Sequence, residues 1–179
     1  MLIRVLAAVI LIVAACGIAP GEVRYRVRLI PRLTPGTQQN EAQDINQSGW
    51  VAGNDDGGSG FGQAYLWNAQ SNQIQNLGSL PACDAEGGRA TALNDLGHVT
   101  GHSAGMGCQS EAYLWTPETG MVGLGDLPGG TFFSEAYDIN NLDQIVGRSV
   151  VDGQQSRAFL WTPGQGMVSL ASLNGSTTS

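Results

Sequence analysis

Apolar residues cluster in short runs along the chain, and one run returns three times: Ala64-Tyr65-Leu66-Trp67, Ala112-Tyr113-Leu114-Trp115 and Ala158-Phe159-Leu160-Trp161. Four apolar residues in a row place nonpolar side chains on both faces of a strand. Each run therefore predicts a strand that meets water on neither face. The flanking polar positions repeat as well. The motif A-x-[DA]-[IL]-N starts at Ala42, Ala90 and Ala136, spacings of 48 and 46 residues. A glycine follows each asparagine by seven residues (Gly53, Gly101, Gly147), and the apolar run begins eleven residues later. Leu77, Leu124 and Leu170 close the pattern.

Each repeat therefore predicts four short strands. The first two form a hairpin, with turns at Asn46-Gln47-Ser48-Gly49, Asn94-Asp95-Leu96-Gly97 and Asn140-Asn141-Leu142-Asp143. Asparagine opens such turns, and glycine, or Asp143 in the third copy, takes the left-handed position. The apolar run is the third strand. The fourth is Ile74–Leu77, Met121–Leu124 or Met167–Leu170. The repeats span about 42–81, 90–128 and 136–173, within a β-repeat domain of 24–173, and 174–179 reads as a disordered tail. A four-stranded antiparallel unit at this period, apolar on both faces, predicts an all-β, β-propeller-like fold.

Residues 25–33 follow the same grammar. Leu33 lies nine residues before Ala42, as Leu127 lies nine before Ala136, and Ile30 then matches Leu124. This segment is expected to be one extra fourth strand ahead of the first repeat. About three blades plus a strand fall short of the ~4–8 of closed propellers. The array is expected to stay open or incomplete, with an exposed sheet face and edge, or to be completed by self-association.

The patterns DIN-x-x-G-x-VAG, AYLW and GMVGLGDLPGG make residues 25–173 resemble the HAF repeat, a bacterial extracellular repeat family. The resemblance implies export and a β-rich array. It implies no established biochemical activity.

The first residues point the same way. Arg4 precedes an uncharged apolar run from Val5 to Ala15. That is shorter than the ~20 residues of a membrane span and suits a secretory signal peptide, read here as 1–15. The end of the run, Val13-Ala14-Ala15-Cys16-Gly17, resembles the lipobox of bacterial lipoproteins. The resemblance implies cleavage before Cys16 and acylation of its thiol and new amine. It also implies a tether over 16–23 and, with no aspartate at position 17, the outer membrane as destination. The alternatives are an ordinary signal peptide with a chance cysteine, or an uncleaved anchor.

Charge narrows the partners. The net charge is −7, with eight basic residues, all arginine. A phosphate backbone demands a basic surface, so nucleic acid is not an expected partner. Cys83 and Cys108 flank the second hairpin, whose entry and exit lie at one end. In an oxidising compartment they are expected to form a disulfide contributing ~2–4 kcal/mol; two free thiols are the alternative.

Candidate chemistry is sparse. His98 and His102 are the only histidines. Four apart on a strand, they sit roughly 13 Å from each other, too far to hold one ion together. Asp44, Asn46, Ser48 and Asp55 imitate part of an EF-hand calcium loop. The hairpin explains them without an ion, because Ala92, Leu96 and Leu142 break the pattern in the other copies. Residues 54–60 read as a solvated loop. Arg24, Arg26 and Arg28 alternate, as on a charged edge strand or one touching anionic headgroups. Trp67, Trp115 and Trp161 read as repeat core rather than a sugar platform. No cofactor is expected. The expectation is a lipid-anchored binding or scaffolding module. Its partners would be the membrane, an envelope protein or glycan, or a second copy. A propeller-type envelope hydrolase, or a truncated repeat needing a partner array, is the alternative.

Overall fold

A computed structural model describes residues 26–36, 39–56, 62–81, 87–104, 109–130, 132–151 and 155–170. Within them the protein is all-β, with three four-stranded antiparallel sheets and no helix. Sheet one contains β1 (Asn40–Ile45), β2 (Trp50–Asp55), β3 (Gln63–Asn68) and β4 (Gln73–Asn76), in that order. Sheet two contains β5 (Gly88–Leu93), β6 (Val99–Ala104), β7 (Ser110–Thr116) and β8 (Gly120–Gly123). Sheet three contains β9 (Ser134–Ile139), β10 (Ile145–Val151), β11 (Gln155–Thr162) and β12 (Gly166–Ser169). The fourth strands start and end one residue before the sequence expectation: Gln73, Gly120 and Gly166 already pair with Asn68, Thr116 and Thr162.

The hairpin turns behave as their composition dictates. Asn46 Oδ1 accepts from the N–H groups of Ser48 and Trp50, and Asn94 and Asn140 repeat the arrangement in the other copies. The last turn residue is left-handed each time: Gly49, Gly97 and, without glycine, Asp143 at φ 56°. That conformation strains a side chain-bearing residue, and Asp143 offsets the strain with the contacts described below.

The apolar runs stack the sheets. Val99, Tyr113 and Trp115 on the front of sheet two pack with Ala52, Ala64, Leu66 and Leu77 on the back of sheet one. Ala112 on the back of sheet two packs, with Leu114 and Leu124, against Ile145 and Phe159 on the front of sheet three. Trp67 and Trp115 are buried, and Trp161 is half-buried against the second cluster. Full burial of one such side chain contributes ~1.5–3 kcal/mol. The third copy breaks the expected pattern on one side. Ala158 is exposed and Leu160 half-buried, since no described sheet follows to cover the back of sheet three.

The N-terminal segment also departs from expectation. Residues 26–36 form no strand. A lone strand has no ladder to join, and Pro31 lacks an N–H. The segment is held by other means: Ile30 and Leu33 pack on Val51, Tyr65 and Trp67. The N–H groups of Leu33 and Thr34 donate to Asp55 Oδ2 at 2.8 and 3.4 Å. The Arg28 guanidinium donates to the Ala69 carbonyl. Arg26 and Arg28 are exposed; Arg24 lies outside the described residues.

A bulge recurs in every first strand, at Gln43, Thr91 and Tyr137. It presses the neighbouring backbone onto Gly53, Gly101 and Gly147. A Cβ on those glycines would lie 2.3, 1.8 and 2.0 Å from the carbonyls of Glu41, Arg89 and Glu135. The repeated glycine is therefore a requirement of space.

One core position separates the copies: Tyr65, Tyr113 and Phe159. The Tyr65 hydroxyl donates to Asn40 Oδ1 at 2.8 Å, with the Glu41 carbonyl 3.2 Å away. Burial, then the Asp55 charge, pushes its pKa up to about 12. The Tyr113 hydroxyl is buried without a hydrogen-bond partner, and burial raises its pKa further. Tyr113→Phe is expected to stabilise the fold by about 1 kcal/mol, and Tyr65→Phe to destabilise it by about as much. Opposite shifts in urea midpoint are the result to look for; shifts of one sign would refute the reading.

Candidate functional site

Of the polar residues singled out from the sequence, Asp44, Asn46 and His98 take part in the seams between sheets. At the hairpin-turn end, Asn46 Nδ2 donates to the Asn94 carbonyl, and Asn94 Nδ2 to the Asn140 carbonyl, both at 3.0 Å. The Gln47 N–H donates to Asp95 Oδ1 at 3.1 Å, and the Asp95 N–H to Asn141 Oδ1 at 2.9 Å. The Asn141 Nδ2 bond to Asp95 Oδ2, then the Gln47 N–H bond to Oδ1, holds the exposed Asp95 carboxyl below its ordinary range. Asp44 Oδ1 caps its own neighbour, Ile45, and Oδ2 accepts from the Leu93 N–H across the seam at 2.9 Å. That reach works because residue 92 is alanine, so no local carboxylate competes for the Leu93 N–H.

The calcium candidates are thus parted. Asp44 and Asn46 sit at the turn end. Asp55 lies at the far end of β2, opposite Asn40, where it holds the N-terminal segment. The Ser48 N–H takes part in the turn. Among the described residues no group of three or more His, Cys, Asp or Glu side chains is placed to hold a metal ion. Cys16, Cys83 and Cys108 lie outside the described residues, as do the signal segment, the tether and the C-terminal tail.

The histidines occupy different environments. His98 Nδ1 lies 2.8 Å from Asp143 Oδ1, which also accepts from Asn94 Nδ2 at 2.8 Å. Asp143 therefore ties sheet three to sheet two with the side chain that its left-handed backbone carries. His102 sits where sheet one has Asn54 and sheet three Arg148: each pairs with the alanine of the apolar run. Asn54 uses that place to clamp Ala90. His102 Nδ1 is buried without a partner, and burial lowers its pKa below the ordinary value. Arg148 turns back to Glu135 at 2.8 Å and lies over the Phe133 ring.

A pH dependence follows. Burial makes His102 harder to protonate in the fold than in the unfolded chain, which takes up the proton near pH ~6.5. Stability contributed by the neutral form is present above that pH and is lost as pH falls below it. His102→Asn is expected to remove this acid loss. It also offers Ala136 the clamp that Asn54 gives Ala90, worth about 1 kcal/mol. Melting temperatures at pH 7.5 and 5.5 check both points; an unchanged acid loss in the variant would refute them.

Asp126 is the described carboxyl pushed above its usual range, by burial and then by the Glu111 charge. Glu111 itself is committed, accepting from the Gly125 N–H at 3.1 Å.

No family model, no curated protein and no solved structure matches this chain. What the site offers must be read from its own geometry. Asp44, Asp95 and the Asp143–His98 pair are spent on joining sheets, while Glu111 and Glu135 bond within their own repeats. Among the described residues, the back of sheet three exposes Val146, Val168 and Leu170 side by side.

Proposed function

We propose that the chain is an exported, lipid-anchored repeat module of the cell envelope, related to the HAF repeat. In this reading it binds or scaffolds, and its sheets form an open, propeller-like array. Acylation at Cys16, the outer membrane as destination and a Cys83–Cys108 disulfide belong to the same proposal.

One observation carries the binding role. On sheet one, Ala52, Ala64, Leu66 and Leu77 are 0–5% exposed beneath sheet two. The matching residues of sheet three include Val146 and Leu170, exposed by 39% and 45%, beside Val168 at 51%. Contiguous apolar surface of this kind marks interaction sites. The same face also favours the second reading, in which a repeat from a partner completes the array.

The test is photo-crosslinking from residue 168 in the envelope of the protein's own cell. A discrete crosslinked species that disappears in Leu160→Asp is expected. Absence of any crosslink, together with a monomeric mass by light scattering, would sink the proposal. Labelling with palmitate, lost in Cys16→Ser, tests the anchor separately.

A further inference from the structure

Gln63, Glu111 and Arg157 occupy one repeat position, the residue before the alanine of each apolar run. The first two are used within the fold. Gln63 Oε1 accepts from Thr34 Oγ1 at 3.4 Å and from Asn76 Nδ2 at 3.5 Å. Glu111 accepts from the Gly125 N–H. Arginine cannot accept a hydrogen bond, and Arg157 has no ion-pair or hydrogen-bond partner among the described residues. The other strand arginines are paired, Arg89 with Glu41 and Arg148 with Glu135. Among the described residues of a chain of net charge −7, this half-buried guanidinium has no anion.

Arg157 lines a groove of about 650 Å³. Its walls are mixed, with Leu127, Val151 and Met167 apolar and Arg157, Gln155 and Ser169 polar. The volume is that of a small-molecule site, and a few polar groups in an apolar cleft fix a ligand's orientation. A planar guanidinium matches a carboxylate with two parallel hydrogen bonds. One cation balances one negative charge. A phosphate dianion would leave an excess charge against an already acidic protein. We propose that this groove binds an amphiphilic carboxylate, its head on Arg157 and its apolar tail along Leu127, Val151 and Met167. This deepens the binding role proposed above, at a place separate from the back of sheet three except for the shared Val168.

Calorimetric titration of the full chain with decanoate, below its micelle concentration, tests it. Saturable binding is expected, weaker by about ten- to hundredfold in Arg157→Gln, the range of a charged hydrogen-bonded contact. Decanol is expected to bind weakly and alike to both proteins. Val151→Trp, which fills the groove, is expected to abolish binding; if that variant does not fold by circular dichroism, Arg157→Gln decides alone. Val146→Asp, outside the groove, is expected to bind as the parent does. Non-saturating decanoate, equal affinity in Arg157→Gln, or tighter binding of decyl phosphate than of decanoate would each overturn the proposal. Leu160→Asp is expected to lose the envelope crosslink and keep decanoate binding, so the two proposals fail separately.

Discussion

Gly101→Ala is expected to cost about 3 kcal/mol, a large share of the ~5–15 kcal/mol that holds a domain together. The cause is space. The added Cβ would lie 1.8 Å from the Arg89 carbonyl oxygen, 2.9 Å from its carbon and 3.0 Å from the Ala90 Cα. All three are backbone atoms, and the bulge at Thr91 fixes them. No side chain can rotate away to absorb the overlap. Gly97→Ala is the comparison. Its φ is +82°, and nothing lies within 4 Å of the added Cβ. It should cost only the ~1–2 kcal/mol of a left-handed alanine. Urea denaturation of both variants separates crowding from backbone strain. Equal losses would show that the bulge yields and that the steric account is wrong.

Asn54→Leu is expected to cost about 3 kcal/mol as well. β5 is an edge strand of sheet two, and the Ala90 N–H and carbonyl turn outward to sheet one. Asn54, 5% exposed, meets both: Oδ1 accepts from the Ala90 N–H at 2.8 Å, and Nδ2 donates to its carbonyl at 3.1 Å. Leucine fills the space and leaves two buried backbone groups unpaired, each costing ~1–3 kcal/mol. Asn54→Asp keeps the acceptor but sets a carboxylate oxygen against the Ala90 carbonyl. It should recover little at pH 7 and more as acid protonates it. Thermal unfolding of the two variants at pH 7 and pH 4, each read against the parent, checks this. An Asn54→Leu protein as stable as the parent would mean that the clamp contributes nothing.

The legible parts of the molecule were those governed by neighbours along the chain. Asn46, Asn94 and Asn140 announce hairpin turns because their side chains bond within four residues. Trp67 and Trp115 announce a core because apolar runs must be buried on both faces. The glycine offsets were visible too, but not their reason, since the crowding carbonyl comes from another strand. The N-terminal segment shows the opposite failure. Its pattern matched a fourth strand, yet a strand needs a hydrogen-bonding neighbour, and pattern does not supply one. Arg157 had a signal in the alignment of Gln63, Glu111 and Arg157. That signal acquired meaning only when the first two side chains proved to be engaged and the third did not.

The sequence by itself determined that the described residues are all-β, where the hairpins turn and which apolar residues of the first two repeats fill the core. Local hydrogen bonding and the alternation of side chains are properties of short stretches, and they repeat wherever the stretch repeats. Only the tertiary structure decided that Asn54 clamps Ala90 and that Asp143 reaches His98. It also decided that no described sheet covers the back of sheet three, and that Arg157 lines a groove without a partner among the described residues. Those outcomes depend on which sheet stands beside which, and residues some 36 to 49 positions apart meet across the seams. Identical repeats in the sequence therefore end in different surroundings, because among the described residues the middle sheet packs on two sheets and each of the others on one.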